Sequence, residues 1–116
     1  MADIREQLRC QLIAHGYNVG SDTRAAHGEI YLKGEGDLAS ALFEFKPSVN
    51  EAIDTMYQGA WVEGLPPRFA VLPECAAEDP SFELLEQMGI IPLLYKTGER
   101  TEFLDLDRLL QEHLVR

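Results

Sequence analysis

Ile4, Leu8 and Leu12 fall four residues apart at the start of the chain and predict a helix over residues 3–14. "HGY" at 15–17 closes it, with Gly16 suited to a left-handed cap position. The period then changes. Residues 28–46, "GEIYLKGEGDLASALFEFK", alternate on both sides of the turn-forming "GEGD" and read as a hairpin. Placing Ile30 and Leu32 on the face of Ala41, Phe43 and Phe45 makes one apolar surface. The opposite face collects Glu29, Tyr31, Ser40, Leu42, Glu44 and Lys46.

Helical spacing returns after Lys46. "SVNE" is a capping box, with Ser48 as N-cap and Glu51 three positions on. Ala52, Ile53, Met56, Tyr57, Ala60 and Trp61 then form a wide apolar stripe, which "GLPP" ends. "RFAVLP" is a short buried strand. "DPSFELLEQMG" is a compact helix with Asp79 as cap, Pro80 at its first position and Gly89 as terminator. "IIPLLY" is a strand that Pro92 assigns to an edge. "TGER" turns the chain into a final amphipathic helix, "DLDRLLQEHLVR". A helix between strands favours a parallel crossover, whereas the hairpin is antiparallel. The expected class is therefore α/β, a mixed sheet with helices on both faces. No repeat, low-complexity tract or linker interrupts it, so residues 1–116 read as one domain.

Composition narrows the function. Hydrophobic residues make up 46% and charged residues 26%, the balance of a globular protein. No apolar run approaches the ~20 residues of a membrane helix, so no membrane partner is expected. "MADIREQLRC" lacks the apolar core of a secretory signal, and cytoplasmic residence is the expectation. Cys10 and Cys75 form neither a disulfide framework nor a zinc motif. His15, His27 and His113 are scattered without ligand spacing, and Walker, nucleophile-elbow and Rossmann patterns are missing. The formal net charge of -10 repels phosphate at long range. Such a chain either does not grip nucleic acid unaided or works in high salt.

One feature carries chemistry. In "ALFEFKPSVNEA", Glu44 and Lys46 share a strand face among apolar neighbours, where charge is costly unless paired or used. With a second acid from the adjoining strand, carboxylates could supply oxygen ligands to Mg2+ or Mn2+. Such a metal activates water, and a nearby lysine adds positive charge at phosphorus. The triplet "EFK", preceded by a hairpin and followed by a capped helix, resembles the PD-(D/E)XK nuclease superfamily over about residues 3–72.

That resemblance implies a restriction-endonuclease-like αβββαβ core and metal-dependent hydrolysis of phosphodiester bonds in nucleic acid, DNA first. It implies Glu44 as metal ligand, the Phe45 carbonyl as a second ligand and Lys46 as the catalytic amine. The family's Gly-Glu-Ile-Asp run stands here as "GEIY", with Tyr31 at the Asp position and Glu29 as the substitute ligand. Asp37 lies too far along the hairpin. Glu6 and Gln58 are accessory candidates, and Arg24 and Arg68 are candidate phosphate contacts.

The plainer reading makes Glu44 and Lys46 a surface ion pair of little energy, Glu29 and Glu6 solvated residues, Gln58 a hydrogen-bonding helix residue, and His27 a loop histidine. Two functions follow. The first is a Mg2+-dependent nuclease that holds its substrate with a partner protein or as a homodimer, such as an accessory subunit of a repair, restriction or mobile-element system. The alternative is a catalytically degenerate copy of the fold serving as a protein-interaction module. Tyr31 and the acidic surface speak for it.

Overall fold

The structure, a computed structural model, describes residues 4–19, 29–34, 39–56 and 67–115, with the backbone alone for Asn18, Glu29, Tyr31 and Lys33. Helix α1 (Ile4–Ala14) leads through Gly16, at φ 91°, to a two-residue strand β1 (Asn18–Val19). The hairpin follows as β2 (Glu29–Lys33) and β3 (Ala41–Phe45), with the Ser40 hydroxyl accepting the Gly34 N–H at its neck. Helix α2 (Val49–Met56), β4 (Arg68–Pro73), a 3-10 turn (Glu74–Glu78), α3 (Phe82–Gln87), β5 (Ile90–Lys96), β6 (Glu102–Phe103) and α4 (Leu106–Leu114) complete the chain.

The six described strands lie in chain order in one mixed sheet. Strands β1, β2 and β3 pair antiparallel; β4 runs parallel to β3 and β5 parallel to β4; β6 turns back on β5. The hairpin register is the one that hydrophobic alternation requires, Ile30 opposite Phe43 and Leu32 opposite Ala41. Alternation along β4 divides the core between two layers. Phe69 and Val71 join Leu8 and Leu12 of α1 and the leucines of α4, whereas Ala70 and Leu72 join Val49, Ala52 and Met56 of α2 and Leu85 of α3. The rings of Phe43 and Phe69, paired across β3 and β4, stack at 4.5 Å.

Capping at α2 is as the sequence requires, since the Glu51 N–H donates to the Ser48 hydroxyl at 3.2 Å. The outer stripe positions Tyr57, Ala60 and Trp61 lie outside the described residues. The third helix starts later than expected. Asp79 does not cap it; its carboxylate accepts the Ser81 N–H at 2.8 Å, an Asx turn that holds the chain until Phe82. Gly89, at φ 78°, ends it as expected.

Strand β5 is not the edge strand that Pro92 predicts, because β6 lies outside it. Strand β6 pairs with β5 only at Tyr95 and Lys96, and Leu104 N–H adds a bond to the Leu94 carbonyl. Backbone groups of a strand alternate sides, so Ile90 and Pro92 turn theirs away from β4, as Leu94 does. The missing N–H of Pro92 thus costs no ladder bond.

Candidate functional site

The charged face of the hairpin lies under α2. Glu44 is the buried acid of β3, and the backbone register sets it directly opposite Glu29. Like charges at directly opposed ladder positions are unfavourable, and a buried carboxylate needs compensation in any case. The compensation comes from β4. Ala70 stands opposite Glu44 and offers little side chain, while Arg68, two residues earlier on the same face, reaches over. Its Nε and Nη2 donate to Glu44 Oε2 at 2.9 and 2.6 Å, and its Nη1 donates to the Met56 carbonyl at 2.9 Å. The side chains keep only 6% (Glu44) and 14% (Arg68) of their exposure. Lys46 Nζ stands 4.0 Å from the other oxygen, Oε1, too far for a hydrogen bond.

Arg68 therefore joins three elements. It neutralises an acid of β3, anchors itself at the base of β4, and donates to the Met56 carbonyl of α2. Charge-assisted bonds of this kind are about twice as strong as neutral ones. The expected phosphate contact is thus a structural cation, with its three nitrogens already engaged inside the protein. Sequence reasoning reached Arg68 but not its partner. The available signal was that Arg68, Ala70 and Leu72 alternate onto one face of a strand lying beside Glu44.

Glu6 and the Phe45 ring lie away from this pair. Glu6 is an exposed residue of α1, in the layer opposite the Glu44 face, and pairs with Arg9 at 3.6 Å. Phe45 packs toward the α1 layer, where the Arg5 guanidinium lies 5.8 Å from its ring centre. Gln58, Asp37, His27 and Arg24 fall outside the described residues. Tyr31 stands opposite Leu42 in the backbone register.

Glu44 Oε2 already takes two N–H bonds from a guanidinium, so a metal there would face a fixed positive charge and have to displace it. Among the described residues, no three His, Cys, Asp or Glu side chains come together as a metal site. Among the same residues, no helix is long and apolar enough to cross a membrane. Compared with protein-family models, curated proteins and solved structures, the chain matches none. The class that the geometry defines is an α/β protein with a six-stranded mixed sheet between helical layers.

Proposed function

We propose that this chain is a catalytically degenerate copy of a restriction-endonuclease-like fold that works as a protein-interaction module. The order of helix, three antiparallel strands, helix and a fourth strand parallel to the third supports the fold assignment. The observation that carries the functional reading is the double N–H donation from Arg68 to Glu44. It commits to internal pairing the carboxylate that the superfamily gives to a metal. The net charge of -10 then favours a basic protein as partner over a polyanion.

One observation favours the rival, a Mg2+- or Mn2+-dependent nuclease. Glu29 is the direct cross-strand partner of Glu44, and Lys46 lies beside it. Titration calorimetry with Mn2+ and Mg2+ separates the two readings. The module reading expects no saturable heat from wild type or from Glu44→Gln. Tight binding by wild type that Glu44→Gln abolishes overturns it and restores the nuclease.

A further inference from the structure

A slot of about 660 Å³ runs along the β5 edge between the two helical layers. Its floor is Ile90, Ile91, Pro92 and Leu94, and its walls are Phe82 of α3 on one side and Leu109 of α4 on the other. The slot exists because β6 is so short. It covers β5 at Tyr95 and Lys96 and leaves residues 90–93 unpaired on that side by any described strand. An α/β/α sandwich interrupted in this way keeps a gap lined by apolar side chains of both layers.

The charged side chains around this gap are mainly acidic, three carboxylates against Arg108 and His113. Glu86, Asp105 and Glu112 supply carboxylates. By strand alternation the carbonyls of Ile90 and Pro92 face the same opening, and Pro92 contributes no donor. Arg108 does not reverse the sign, because its guanidinium is spent on Glu112 at 3.2 and 3.3 Å and on Asp105 at 3.4 Å. A second copy of this chain would bring the same acidic rim against this one.

We infer that the slot is a docking site for an extended apolar segment of a partner protein flanked by lysine or arginine. The segment lies beside β5 as an added strand, with alternate apolar side chains in the slot and cationic side chains on the carboxylates of the rim. Main-chain pairing gives such complexes their affinity, and the side-chain pockets give their selectivity. The loss of one donor at Pro92 makes the edge a poor template for indiscriminate strand pairing. The inference extends the module reading by naming the surface and the chemistry of the partner.

Panning a library of random twelve-residue peptides on the intact chain tests it. The expected consensus alternates apolar residues and carries Lys or Arg at its flanks. A synthetic copy should shift the amide signals of Ile90, Ile91 and Leu93, and lose about ten-fold or more in affinity for the Glu86→Lys/Glu112→Lys double variant. Both carboxylates are exposed, and an unchanged urea midpoint shows that the double variant is folded. No consensus, an acidic consensus, shifts elsewhere, or equal affinity for the variant overturns the inference. So does a homodimer whose interface maps to the slot. Metal binding at Glu44 would overturn the module reading and leave the slot standing, so the two failures are distinguishable.

Discussion

Arg68 and Glu44, 24 residues apart in the chain, are joined by two N–H bonds to a single carboxylate oxygen, at 2.9 and 2.6 Å. The acid lies in the middle of the sheet and the base at the start of the neighbouring parallel strand, so the pair forms only once the α2 crossover has brought the two together. Neither charge would be tolerated at this burial alone.

Removing one partner should therefore be costly. Arg68→Met leaves Glu44 buried with Lys46, 4.0 Å away, as its nearest described counter-charge, and removes the donor to the Met56 carbonyl. It is expected to lower stability by about 3–5 kcal/mol in urea unfolding. Adding Glu44→Leu to that variant should recover most of the loss, because two apolar groups of similar volume replace the pair. A loss below about 1 kcal/mol in Arg68→Met would mean that water already screens the interaction.

Tyr17 offers a test of opposite sign. Its hydroxyl is buried with no hydrogen-bond partner among the described residues, and burial raises its pKa above the usual 10.0. An unpaired buried hydroxyl costs roughly 1–3 kcal/mol, so Tyr17→Phe should stabilise the fold by about 1 kcal/mol. The pH dependence follows from the same burial. Below pH 10 the phenol is neutral whether folded or unfolded. Above it the unfolded chain loses the proton first, so stability falls as pH rises through the folded pKa. Tyr17→Phe should flatten part of that alkaline loss. Tyr95, raised by burial and then by its coulombic interaction with Cys75, contributes in the same direction, and Tyr95→Phe should remove its share. Urea midpoints between pH 8 and pH 11, both roughly chosen to bracket the tyrosine range, check both.

The cap of α2 is a local determinant with a local price. Ser48→Ala removes the acceptor of the Glu51 N–H and should cost about 1 kcal/mol, whereas Ser48→Asp should leave stability within a few tenths of wild type. Thermal unfolding followed at a helix-sensitive wavelength measures it.

Much of the architecture was legible because its causes are local. The four-residue recurrence of Ile4, Leu8 and Leu12 turns one side of α1 to the core, and Leu8 and Leu12 are buried there. Alternation in the hairpin fixed its register, since a slip of one residue would expose Phe43 and Ile30. The later start of α3 was not legible. Asp79 and Ser81 can both cap, and the choice depended on which N–H the Asp79 carboxylate reached. The strands Asn18–Val19 and Glu102–Phe103 were missed because two residues show no period; neighbouring backbone makes them strands.

The same division runs through the candidate site. The sequence by itself determined that an acid and a base share one face of an apolar strand, because side chains alternate with a period of two. It also determined that this acid had to be compensated, because a low-dielectric interior does not tolerate an isolated carboxylate. Only the tertiary structure decided what compensates it. Parallel pairing set Arg68 beside Glu44, and the Met56 carbonyl of α2 took the remaining N–H, so the guanidinium holds three elements together. The stretch of β5 that no described strand pairs was decided at that level too, because it depends on how far β6 covers β5.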